Sequence, residues 1–201
     1  MITDKGGIDR RIRRTKRNLQ SAFILLLNEK DYYRITVTDI VTQADYNRAT
    51  FYRHYQDKES LVQDLINIIL EDLIKSFRYP YKNKKWLSVD SLSSSNVIIF
   101  YHILDNVNFY RLWKDSEGIP GFQTQFINTL IQLHKNDISN YANPDMDMDD
   151  ELFITYRAYG VWGLIINWIK SDFQIPVEDM TDQLIKILNY HPSSRYKLNH
   201  F

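Results

Sequence analysis

The chain has 201 residues, with 25 Lys and Arg against 25 Asp and Glu, 44% hydrophobic and 25% charged positions, and no cysteine. That length suits one large domain or a small one followed by a medium one, and the missing thiols exclude disulfides, zinc–thiolate centres and a cysteine nucleophile. Six Gly and five Pro are too few for a turn-rich β architecture, while 14% aromatics supply large rings for a core, a pocket or an interface.

The zero net charge conceals an asymmetry. Residues 1–60 hold twelve Lys/Arg against eight Asp/Glu, whereas residues 61–201 hold thirteen against seventeen. A basic head on an acidic body suits a protein that sets one end against a polyanion. The N-terminus is basic without the apolar core of a secretory signal. The longest apolar stretch, Ala158 to Ile169, contains Asn167 and falls short of the about 20 residues that a bilayer span needs. The expectation is a soluble, cytoplasmic protein with no membrane segment.

In chain order, a helix is predicted from Arg10 to Glu29, with Leu19, Ala22, Phe23, Leu26 and Leu27 as its inward stripe. Its start is crowded with Arg10, Arg11, Arg13, Arg14, Lys16 and Arg17, a solvated face or a phosphate-contacting one. After a turn at 30–35, Thr36 stands as an N-cap with Asp39 three residues on, close to a capping box. Val37, Ile40, Val41 and Ala44 then face inward from a two-turn helix. Asp45-Tyr46 turns the chain, and Asn47 caps the next helix. There Ala49 is small enough for a close crossing, and Phe51 and Tyr55 point to the core at i, i+4. Asp57 caps a fourth helix carrying the stripe Leu61, Leu65, Ile68, Ile69 and Leu73 to about Phe77.

Residues 79–92, with Pro80, three lysines and several serines, read as a loop between head and body. Helical segments are predicted at about 93–106, 107–115, 120–141, 150–171 and 177–190. Asp145, Asp147 and Asp149 are spaced like the first ligands of a calcium loop, but position six is Asp150 rather than Gly and position twelve is Tyr156 rather than Glu. The match fails, so no metal and no cofactor is expected. There is no internal repeat and no strand pattern. The predicted fold is all-α, divided at 10–56, 57–78 and 93–190.

The stretches Ile35 to Ile40, Asn47 to Tyr55 and Asp57 to Leu61 (ITVTDI, NRATFYRHY and DKESL) resemble the N-terminal helix-turn-helix domain of the TetR family of bacterial transcriptional regulators. One departure is Asp45-Tyr46, where the family more often has Gly and a small apolar residue; Asp tolerates turn conformations, so a slightly altered turn is expected. The resemblance covers roughly residues 10–77. It implies a three-helix DNA-binding head, a helical ligand-binding body, and a homodimer formed through the helices at 150–171 and 177–190.

It also implies roles. Arg48 and Thr50 are the candidates for base edges, since a guanidinium can bond guanine O6 and N7 together. Asn47, Tyr52, His54 and Lys58 suit phosphate contacts that fix register. Thr36 and Thr38 open a helix whose free N–H groups also suit a phosphate, and Arg53 fits either purpose. By family analogy an effector pocket would lie in the body, lined by Phe100, Phe109, Trp113, Phe122, Phe126, Tyr156, Tyr159 and Trp162. His102 and His134 are lone histidines read as structural or exposed. The implied function is a ligand-responsive regulator, a repressor on a palindromic operator of double-stranded DNA. The alternatives are a DNA-bound activator or a non-promoter DNA-bound protein acting through a protein partner. An enzyme lacks support, because no Tyr, His, Asp or Glu spacing forms a catalytic unit and no phosphate loop or zinc motif is present.

Overall fold

The structure, a computed structural model of the chain, describes residues 5–85, 92–114, 118–137 and 149–189, the first four of these by their backbone alone. Every element among the described residues is helical. Helix α1 spans Lys5–Leu27, five residues earlier at its start than the apolar stripe alone predicts. Leu19, Ala22, Phe23 and Leu26 are buried as expected, whereas each described residue from 9 to 14 is exposed.

The head continues with a 3₁₀ turn, Tyr32–Arg34, and helices α2 (Val37–Gln43) and α3 (Arg48–Tyr52). The predicted capping box is present: the Asp39 amide donates to Thr36 Oγ1 at 3.2 Å and the Thr36 amide to Asp39 Oδ2 at 2.9 Å. Lys30 Nζ adds a 2.7 Å bond to the same carboxylate. Those bonds, that to Lys30 first, hold Asp39 well below the usual carboxylate range. Ile40 and Val41 are buried, Val37 and Ala44 half-buried. Phe51 and Tyr55 are buried and in ring contact at 5.7 Å. Ala49 is exposed, so its small side chain serves no crossing within the chain.

Helix α4 (Lys58–Arg78) opens on a second capping box, Asp57 with Ser60. At 21 residues it is about 30 Å long. Its buried arc is Leu61, Val62, Leu65, Ile66, Ile69 and Leu73, while Ile68, expected in the stripe, is 48% exposed. The helix packs on α1 at one side and on body helices at the other.

The body comprises α5 (Ile99–Asp105), α6 (Val107–Tyr110) with a following 3₁₀ turn Arg111–Trp113, α7 (Phe122–Asp137), α8 (Asp150–Lys170) and α9 (Val177–Leu188). The helix predicted from 93 starts only at Ile99. Serine hydroxyls compete with helical hydrogen bonds, and here residues 93–96 close a turn instead, with Asn96 N and Val97 N both donating to Ser93 O at 3.0 Å. Asp149 caps α8 through the Leu152 amide. Residues 138–148, including Asp145 and Asp147 of the rejected calcium loop, lie outside the described residues, as does Tyr190.

Phe109, Trp113, Phe122, Phe126 and Trp162 are buried and interlock, with centroid separations such as 4.8 Å for Phe109–Phe122 and 4.9 Å for Phe126–Trp162. Edge-on and tilted ring pairs add to the area they bury. Gly118 lies against this cluster with φ +66°, and a Cβ there would sit 2.2 Å from the Trp113 ring.

Polar bonds join α4 to the body at three levels. Gln63 Nε2 donates to Gln125 Oε1 near its start. Farther along, Asp72 Oδ2 lies 2.7 Å from His102 Nδ1, whose Nε2 is 2.9 Å from Tyr110 Oη. Burial outweighs the aspartate and pushes the His102 pKa down, so the ring is neutral at pH 7: Nδ1–H donates to Asp72 and Nε2 accepts from the tyrosine. At the far end Arg78 forks onto Asp137 at 2.7 and 3.1 Å, joined by Tyr81 Oη.

Gly118→Ala combines a left-handed backbone penalty with overlap against an indole that is itself packed on four rings. The expected cost is about 2–4 kcal/mol, to be read as a lower urea midpoint with an unchanged m-value.

Candidate nucleic-acid interface

Seven and five residues are too few for α2 and α3 to stand alone, so their caps and turn decide whether the pair exists. Ala44 ends α2, and Asp45 takes φ +55°. The Tyr46 amide reaches Val41 O at 2.8 Å and the Asp45 amide reaches Thr42 O at 3.2 Å. That is a Schellman ending with aspartate where glycine is usual. Tyr46 adds a strut, its hydroxyl accepting from Asn18 Nδ2 of α1 at 3.2 Å. Asn47 then caps α3 through the Thr50 amide at 2.8 Å and also accepts from the Thr50 hydroxyl at 3.0 Å.

Arg48, Tyr52 and Arg53 are exposed, and Thr50 and His54 half-buried. Arg48 Nη2 donates to Tyr52 Oη at 3.3 Å, and its guanidinium carbon lies 5.9 Å from the Tyr52 ring centre. The pair holds one cation and one phenol together on the outer face of α3. His54 is kept below its ordinary pKa, first by burial and then by Lys16 and Arg53, so it meets solvent as a neutral imidazole at pH 7. Thr38 is exposed on the first turn of α2, while the Thr36 hydroxyl is committed to Asp39 Oδ2 at 2.7 Å.

Lys58 sits differently from its neighbours in this set. Its side chain is only 12% exposed, its ammonium donates to Tyr32 O at 2.9 Å and lies 4.4 Å from the Tyr32 ring centre. It braces the turn before α2 against the start of α4.

The residues that fix this surface to α4 escaped the sequence reading. Asp64 Oδ2 accepts from Tyr55 Oη at 2.8 Å, Gln20 Nε2 at 3.0 Å and Lys16 Nζ at 3.1 Å. Burial, then Asp64, raises the Tyr55 pKa, so its hydroxyl stays a donor. The available signal was Gln20, a polar residue inside the apolar register of α1 that is only 6% exposed.

Of the body residues predicted to line a pocket, Phe100, Phe109, Trp113, Phe122, Phe126 and Trp162 are buried, Phe100 edge-on to Trp168 at 5.4 Å and the others in the aromatic cluster. Tyr156 and Tyr159 do not join them: they are 74% and 55% exposed, because the inward face of α8 is Ala158, Trp162, Ile165, Trp168 and Ile169. His102 and His134 are buried and structural, the latter's Nδ1–H bonded to Leu130 O.

A short capped helix pair carried by a longer helix into an all-α body defines the class of helix-turn-helix regulators. The sequence comparisons give the family: residues 24–65 match the family described as bacterial regulatory proteins, tetR family, and residues 90–190 match a TetR-type transcriptional regulator C-terminal region. The chain belongs to the TetR family of transcriptional regulators.

It is 25% identical over 183 residues to the uncharacterized HTH-type transcriptional regulator YxbF of Bacillus subtilis (strain 168), covering 90% of this chain and 46% of that protein. The chain thus spans about half the length of the curated relative it matches. A crystal structure of a protein assigned to the TetR family from Syntrophomonas wolfei str. Goettingen superposes with a TM-score of 0.68 at 16% identity, over 88% of this chain and 94% of the other. A TetR transcriptional regulator from Streptococcus agalactiae 2603V gives 0.58 at 25% identity, over 92% and 99%. The dihydroxyacetone kinase operon activator DhaS gives 0.58 at 20% identity, over 87% and 94%. Among the described residues no helix is long and apolar enough to cross a membrane.

Asp64→Ala strips three donors of their shared acceptor, one of them the buried Gln20. The expected loss is about 2 kcal/mol in urea unfolding, with faster amide exchange in α3; unchanged exchange there would show that α3 is held without this carboxylate.

Proposed function

We propose that the protein is a DNA-binding transcriptional regulator acting as a cytoplasmic homodimer, each subunit placing α3 in one of two successive major grooves of a palindromic operator. The observation that supports this most is the Arg48–Tyr52 pair on the open face of α3. A guanidinium parked on a phenol is already outside the fold, so it can turn to guanine O6 and N7 without breaking the core. Thr50 reads a neighbouring base edge. Asn47, Tyr52, His54 and Thr38 bond phosphates, with Arg53 serving either surface. Thr36 contributes mainly by capping, and Lys58 reaches a phosphate only by leaving Tyr32.

The dimer reading rests on α8 and α9. The outer face of α8 exposes Leu152, Tyr156 and Tyr159, and α9 exposes Ile187 at 53%. Gly160 and Gly163 sit mid-helix, where glycine costs about 1 kcal/mol against alanine, yet an added Cβ at either would meet nothing within 4 Å. A partner helix approaching closely gives those glycines a reason that the single chain does not.

A small-molecule effector acting in the body would shift α4 and so the separation of the two heads, releasing DNA as a repressor does. The second reading is an activator; a protein of this fold, DhaS, carries that description.

Selection from a random duplex library at about 0.15 M salt tests the DNA reading. A palindromic motif is expected. Arg48→Ala should relax it at one base position per half-site, at a cost of about 1–3 kcal/mol, while Tyr52→Phe weakens all sites alike. Motif-free binding by the wild-type protein would sink this assignment.

Sedimentation velocity tests the dimer. Gly160→Leu with Gly163→Leu should convert it to monomer at micromolar concentration without lowering subunit helicity, and a persisting dimer would move the interface elsewhere.

A further inference from the structure

Helix α1 runs on past the core that anchors it. Residues 9–14 are all exposed and Thr15 next to them is buried, so about 9 Å of helix stands free of the head. Arg10, Arg11, Arg13 and Arg14 are all on this stretch against a single described acid, Asp9, which pairs with Arg13 at 2.9 Å. Both partners are about two-thirds exposed, and such a pair is weak. Among the described residues no carboxylate pairs with Arg10, Arg11 or Arg14.

On a 3.6-residue period Arg10, Arg13, Arg14 and Arg17 share an arc of about 100°, opposite the arc of Leu19, Ala22 and Phe23. Like charges at i, i+3 and i, i+4 destabilise a helix, and among the described residues only the exposed Asp9–Arg13 pair offsets that repulsion.

The position of this stretch is fixed by its inner end. Lys16 lies 5.1 Å from the Tyr55 ring centre and is close enough to His54 to lower its pKa. Asn18 bonds Tyr46, in the turn between α2 and α3. The free turns of α1 therefore begin beside the C-terminal edge of the surface that α3 presents.

We infer that residues 9–14 of α1 form a cationic arm that contacts duplex DNA phosphates beyond those reached from α2 and α3. The inference rests on the DNA-binding reading above and adds a second, sequence-independent contact to it. A row of guanidiniums suits the phosphate backbone, which carries one charge per about 1.7 Å of duplex axis. Bound there, the arm loses the self-repulsion that it carries when free.

The test is the salt dependence of affinity for a duplex of about 40 base pairs centred on the selected motif. Arg10→Gln, Arg13→Gln and Arg14→Gln are combined in the full chain; glutamine keeps the helix propensity of arginine. The slope of log K against log salt should become shallower by about 2–3, hydroxyl-radical protection should shrink, and the selected motif should not change. The corresponding triple lysine variant should keep the wild-type slope. Wild-type slope and footprint in the glutamine variant would overturn the arm, whatever Arg48→Ala does to the motif. Should the wild-type protein select no motif, the same slopes on random duplex decide: a loss in the glutamine variant retains the arm and sinks only sequence reading. Absence of any DNA binding sinks both.

Discussion

One carboxylate gathers three side chains of the head onto α4. Asp64 on α4 collects Tyr55 from just beyond α3 and Gln20 and Lys16 from α1 on a single oxygen. Two of those donors are buried, so each must find an acceptor or cost the fold its desolvation. Once they converge on Asp64, the end of the reading unit has a fixed position relative to α4. The same helix meets the body through Asp72 and Arg78. A displacement of α4 along or about its axis therefore cannot leave α3 where it was.

The surface that this arrangement positions is built mostly from groups with a structural duty as well. Asn47 Oδ1 caps α3 and accepts from the Thr50 hydroxyl, Thr36 belongs to a capping box, and Lys58 braces Tyr32. Arg48, Tyr52, Arg53 and Thr38 are the ones whose polar ends lie on the open surface. This separates side chains that keep two very short helices in being from those free to meet a ligand. It also explains why aspartate suffices at position 45: the Schellman bonds and the Tyr46–Asn18 strut already define the turn.

Much of the head was legible because its signals are local. A cap followed by an acid three residues on, an i, i+4 aromatic pair and an alternation of turn and stripe each depend on neighbours in sequence. The Asp64 and Asp72 sites were not legible, since their partners lie 9 to 48 residues away and aspartate on a helix reads as solvated surface. Ile68 and Ala49 show the converse error: residue type suggested burial, but position on the helix turned both outward. In the body, Phe100, Phe109, Trp113, Phe122, Phe126 and Trp162, expected around an effector pocket, are buried. Tyr156 and Tyr159, expected beside them, are exposed on the far side of α8, where nothing in composition distinguishes an inner ring from an outer one. The late start of α5 follows from serines whose hydroxyls and amides found turn partners first.

The interlocked rings of the body bear on how an effector could act. Phe109, Trp113, Phe122, Phe126 and Trp162 fill the space between α6, α7 and α8 with one another, so a ligand entering among them must displace rings rather than occupy a void. Phe109 shares the short α6 with Tyr110, and Tyr110 holds the His102 ring that in turn bonds Asp72 of α4. Moving Phe109 without moving Tyr110 would bend a single helical turn. Moving both breaks a buried hydrogen bond and releases α4 at its middle. Intersite couplings in proteins are typically about 1–3 kcal/mol, and one or two buried polar bonds at about 1 kcal/mol each fall in that range. Exchange of the Asp72–His102–Tyr110 contacts is therefore enough to carry a regulatory signal of ordinary size to α3, with no rearrangement of the head's own core.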